Sequence, residues 1–129
     1  MTNTVFVKFV SDPNLDRMKS IVGLACAAQA VNDGHKVTVF FAAAGVRFLS
    51  AAFLADLETE MGPESKMIHG FMDTLLGGAD LHCSFGSVKA VLGHEEGDGA
   101  LYAPDEQIAW SGPPGVIALA TASDVQLVY

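Results

Sequence analysis

Gly77-Gly78-Ala79-Asp80-Leu81-His82-Cys83-Ser84-Phe85-Gly86 reads as the end of one helix, a short buried strand and the start of a second helix, with a thiol and a hydroxyl at the junction. Paired glycines supply the left-handed residue that closes a helix. A run this short and apolar suits an interior strand, and Ser84 is a good N-cap for the second helix. The pattern predicts a polar crest at the carboxyl end of a strand. Ligands of open parallel sheets sit outside that edge, where the amides of the next helix favour negative charge. A cysteine so placed, Cys83, is a candidate low-pKa thiolate.

Upstream, Val5 to Val10 is β-branched and aromatic almost throughout, the signature of a strand covered on both faces. Ser11-Asp12-Pro13 turns the chain. Apolar positions from Asn14 to Asp33 then follow helical spacing until Gly34 stops them. Leu24 to Ala30 is nearly all small, suited to lying close to a sheet or to another subunit, and Cys26 reads as core filler there. Val37 to Phe41 is the second strand, which makes a right-handed β-α-β unit. His35 falls on the amino-terminal edge, away from chemistry, whereas Gly45 and Arg47 fall at the carboxyl edge. Gly45 allows close backbone approach, and Arg47 reads as a surface ion pair. Phe48 to Met61 is expected to be one irregular helix covering a subunit contact. Gly62-Pro63-Glu64-Ser65 starts another, in which Met67/Ile68, Phe71/Met72 and Leu75/Leu76 repeat every four residues. The methionines read as packing, and His69 with Asp73 as a surface pair.

Downstream, Ser84 to Leu92 is a short helix ended by Gly93. His94 to Pro104 is a polar, glycine-rich loop of the length typical of lids and binding loops. Gln107 to Trp110 is a brief strand, Val116 to Ala122 a helix with prolines at its start, and Val125 to Tyr129 a fifth strand. The 129 residues are read as a single α/β domain, long enough to bury about two thirds of the unfolded surface.

Seven basic against fifteen acidic residues give a net charge of -8, which argues against nucleic acid as a partner. Lys8, Lys19, Lys36, Lys66 and Lys89 are scattered and read as solvated. The amino terminus lacks the basic region of a signal peptide. No run reaches the roughly 18 apolar residues of a membrane span, so no membrane association and a cytoplasmic location are expected. Two cysteines without C-x-x-C spacing read as reduced thiols. There is no G-x-G-x-x-G after the first strand and no Walker loop, so no cofactor is expected. His82-Cys83-Ser84-Phe85-Gly86 departs from the G-x-S-x-G elbow at its first glycine. His94-Glu95-Glu96-Gly97-Asp98 departs from H-E-x-x-H, so no metal is assigned. Adjacent strand residues point to opposite faces, so His82 and Cys83 do not make a pair by adjacency alone.

The β-α-β order, the midchain helix ending in Gly77-Gly78, the strand running into Cys83 and the final Ala122 to Tyr129 together resemble the DsrE/DsrF-like family. Gly34-His35-Lys36-Val37-Thr38-Val39-Phe40-Phe41, followed by Gly45-Val46, is similar to that family's second strand and its exit. The resemblance covers most of the chain. It implies a three-layer α/β/α sandwich with a five-stranded, mainly parallel sheet, assembled as a trimer or hexamer. In members that act in sulfur relay, a cysteine after the central strand carries a persulfide. Alignment on Gly78 to His82 places that cysteine on Ser84, with Cys83 one residue early, and one step along a strand reverses the face. Either the strand end shifts so that Cys83 serves, or the thiol is structural.

Two functions are expected. In the first, Cys83 accepts sulfane sulfur from a donor and passes it to a partner protein. In the second, a non-catalytic homo-oligomer binds a small molecule at the crest, with His82, Ser84, Ser11, Gly45 and the loop from His94 as candidate binding residues.

Overall fold

The computed structural model describes residues 2–129. Strands β1 (Thr4–Phe9), β2 (Lys36–Phe41), β3 (Ala79–Ser84), β4 (Ile108–Ser111) and β5 (Val125–Val128) form one sheet in the order β4-β3-β2-β1-β5. Every neighbouring pair is parallel. The fold is therefore α/β as expected, and the sheet is wholly rather than mainly parallel. From β1 to β4 each crossover steps in the same direction, so right-handed connections stack their helices on one face. The return from β4 to β5 crosses the other face.

Helices α1 (Arg17–Asn32), α2 (Ala51–Glu60) and α3 (Met67–Gly78) cover the first face. Leu24, Ala27, Leu54, Leu57, Ile68, Met72 and Leu75 pack there against Val7, Phe9, Val39, Phe41, Leu81 and Cys83. The second face carries only α5 (Pro113–Thr121), none of whose residues is buried. The three layers are present but unequal.

Local chemistry accounts for most boundaries. Asp16 caps α1 by accepting from the Lys19 amide, and Gly34 ends that segment at φ +86°. Phe48 to Met61 is not one helix. A 3₁₀ segment, Ala43–Leu49, is separated from α2 by Ser50, whose hydroxyl accepts from the Phe53 amide at 3.3 Å. Phe48, Leu49 and Leu54 are fully buried within the chain; Phe48 meets Phe9 edge-on at 5.6 Å. Their apolar character builds this core and needs no second subunit.

Neither Gly77 nor Gly78 adopts a left-handed conformation: α3 passes directly into β3 through an extended Ala79. Gly78 is required instead by packing, because a Cβ there would fall on a methyl group of Val31 from α1. The expected His69–Asp73 pair is also replaced. Glu58 of α2 is buried and accepts from the Ile68 and His69 amides at 3.1 and 3.0 Å, from the Ser65 hydroxyl at 2.8 Å, and lies 3.1 Å from His69 Nδ1. This carboxylate caps α3 from a distance. Burial alone would raise its pKa, but those hydrogen bonds hold it below the ordinary value. Asp73 accepts instead from the Tyr102 hydroxyl at 2.7 Å.

Candidate functional site

Strand β3 presents its residues alternately. Leu81 and Cys83 enter the helix-covered core, while Asp80, His82 and Ser84 face the thinly covered side. Cys83 is 0 % exposed, in register with Phe41 on one side and Trp110 on the other. Its thiol is pushed up to about 12, by burial first and then by the nearby charge of Glu96. Ser84 caps the next turn, α4 (Phe85–Ser87), by accepting from the Ser87 amide at 3.1 Å. The chain continues through a wide π turn, Val88–Leu92, to a left-handed Gly93.

The carboxyl edge is closed by contacts among the strand exits. Ser11 donates its amide to the Tyr129 carbonyl at 3.2 Å. Gly45 sits against the backbone of Phe9, leaving no room for a Cβ, so the close approach it permits is to the chain itself. Arg47 Nε lies 3.1 Å from a carboxylate oxygen of Asp12, the ion pair expected of it. The Ala43 amide, at φ +49°, donates to the Ser87 hydroxyl at 2.9 Å.

The loop after Gly93 lies with the covered face. Leu101 and Ala103 are buried in that core, and the Tyr102 amide donates to the Leu49 carbonyl at 2.7 Å. Glu95 pairs with Lys89 at 3.3 Å, and His94 Nδ1 stands 3.9 Å from Asp98. The loop and the His82/Ser84 side are thus on opposite faces and do not form one site. His82 and Ser84 are themselves separated. His82 stacks on Phe40 with ring centroids 6.2 Å apart and lines an open depression with Asp80, Glu106 and Gln107. Burial lowers its pKa, with Asp80 opposing the shift.

Ser84 lines a different cavity of about 170 Å³, together with Lys8, Phe40, Ala42, Gly112, Pro113 and Val116, beneath the start of α5. Lys8 is the residue that sequence reasoning missed, for it is partly buried rather than solvated. The available signal was a lone lysine inside an apolar strand, alternating with Val7 and Phe9.

The architecture defines an α/β protein with five parallel strands and three helices crowded on one face. No protein-family model matches the chain, and no curated protein matches it. Among solved structures, the crystal structure of the ychN protein from E. coli is similar at a TM-score of 0.65, with 12 % identity, covering 100 % of this chain and 100 % of that one. Identity that low speaks to the fold alone. No helix among the described residues is long and apolar enough to cross a membrane.

Proposed function

We propose that this chain is a non-catalytic, cytoplasmic small-molecule-binding protein of DsrE-like architecture that works as a homo-oligomer, with Cys83 a structural thiol. The observation that carries the reading is the seat of Cys83, wholly buried and with its pKa raised to about 12, opposite to what a nucleophile needs. The fold shared with the ychN protein and the resemblance to the DsrE/DsrF-like family support the architecture. Oligomerisation is supported by apolar side chains left in solvent, Ile117 at 63 %, Val128 at 58 % and Phe85 at 53 % exposure. Light scattering that returned only monomer at micromolar concentration would remove that part.

A sulfur carrier is the second reading, favoured by the place of Cys83 next to the carboxyl end of β3 and a helical turn. Its thiolate would take a sulfane sulfur from a donor persulfide, forming a new S–S bond and releasing the donor's thiol. Two measurements separate the readings. Alkylation of the Cys26→Ala and Cys83→Ala variants is expected to show partly buried Cys26 reacting first and Cys83 slow and flat up to pH 8. Incubation with polysulfide is expected to leave Cys83 unmodified by mass spectrometry. An adduct of one sulfur atom on Cys83 that the Cys83→Ala variant lacks establishes the carrier instead.

A further inference from the structure

We infer that the cavity beneath α5 is a binding site for a small carboxylate with a compact apolar body, held by Lys8 and Ser84. The inference rests on the small-molecule-binding reading above and names its ligand class. Lys8 stands on the open face near the carboxyl end of β1, in register with Phe40 on β2 and Val128 on β5. It is partly buried, yet among the described residues no carboxylate lies within 4 Å of its ammonium and no side-chain hydrogen bond engages it. An ammonium with no counter-charge beside it, at the wall of a partly covered cavity, keeps its charge available to an anion. In a chain of net charge -8, an unpaired lysine lining a cavity is where an anion gains most.

The remaining walls specify the rest of the ligand. The Ser84 oxygen accepts from Ser87 and its own hydroxyl proton meets no acceptor among the described residues, so one donor is free for a carboxylate oxygen. The start of α5 supplies no further donor, because Pro113 and Pro114 carry no N–H and the Gly115 and Val116 amides donate to the Gly112 carbonyl, so Lys8 and Ser84 are the polar anchors. Phe40, Ala42, Pro113 and Val116 offer only apolar surface to the ligand's body. A volume of about 170 Å³ equals five or six waters at about 30 Å³ each. Short branched carboxylates therefore fit, whereas nucleotides and sugars do not.

Calorimetric titration of the intact protein with isobutyrate, in a zwitterionic buffer of low ionic strength, tests this. Saturable binding in the millimolar range or tighter is expected, with amide resonances of Ser84, Gly112 and Val116 shifting together. Lys8→Met should weaken it about tenfold or more, and Lys8→Arg far less. Val116→Phe, which fills the cavity from α5, should also abolish binding and serves if Lys8→Met proves unstable. Isobutyramide binding as tightly as isobutyrate would overturn the carboxylate assignment while leaving small-molecule binding intact. Resonance shifts elsewhere, or no binding at tens of millimolar, would overturn the site, and the alkylation of Cys83 would still judge the broader reading separately.

Discussion

The two faces of the sheet are made from the same alternating strands and have opposite fates. The face under α1, α2 and α3 holds the aromatic core of Phe9, Phe41 and Phe48 and takes in Cys83. The face under α5 keeps Lys8, His82 and Ser84 near solvent, with Phe6 and Phe40 as its buried aromatics among the described residues. One step along β3 separates a thiol deprived of water from a hydroxyl and an imidazole that still meet it. Chemistry at a strand end is therefore decided by which neighbour the topology stacks above each face, and the three successive same-direction crossovers have spent their helices on the cysteine's side.

The comparison breaks most visibly at Gly45. A Cβ there would fall onto the carbonyl oxygen of Phe9 and 2.6 Å from its carbon, and backbone cannot move aside as a side chain can. Gly45→Ala is expected to destabilise the chain by about 3 kcal/mol or more, read from the urea midpoint. A variant with an unchanged midpoint would mean that this edge is loose enough to admit a ligand, and that the covered face is less rigid than the contacts indicate.

The strands were legible because each interior strand of a parallel sheet announces itself as an apolar run, as Val5 to Phe9 and Val37 to Phe41 do. The alternation at His82 and Cys83 was legible for the same reason. What stayed hidden depended on residues far apart in sequence. Glu58 caps α3 across ten residues of separation to Ile68, and Gly78 answers to Val31 on another helix. Phe48, Leu49 and Leu54 look like surplus apolar surface until the 3₁₀ segment folds them under Phe9. Lys8 looked solvated because nothing local says that α5 returns over the face it occupies.

A smaller effect sharpens the contrast between Cys83 and Ser84. Cys83→Ser places a hydroxyl in the apolar core and should cost about 2 kcal/mol, whereas Ser84→Ala removes one cap bond and should cost about 1 kcal/mol. The thiol also leaves a mark at alkaline pH. Its folded value, raised to about 12 by burial and Glu96, means that its contribution is complete below the unfolded value near 8.5 and is lost as pH rises toward 12. The slope is about 1.4 kcal/mol per pH unit per proton. Tyr102, raised to about 12 by burial and by Asp73, adds a smaller loss beginning near pH 10, because solvent screens the tyrosine. Chemical denaturation between pH 8 and 10 should therefore show a decline that Cys83→Ala largely removes. An unchanged slope in that variant would place the thiol in contact with water.

The smallest effect is on the open face, at His82. Burial lowers its pKa and Asp80 partly restores it, so the folded state prefers the neutral ring. Stability from this group is present above the unfolded value near 6.5 and is lost as pH falls through the depressed folded value. Because the ring is only partly covered, solvent screening keeps the loss under about 1 kcal/mol. His82→Phe keeps an aromatic ring over Phe40, where the histidine now stacks at 6.2 Å, and has nothing to titrate. Between pH 7.5 and 5 the wild-type melting temperature should fall slightly more than that of His82→Phe. Asp80→Asn should depress the histidine further and enlarge the difference. If His82 instead titrates at or above 6.5 by NMR, the depression it shares with Asp80, Glu106 and Gln107 is too open to withdraw water from the ring.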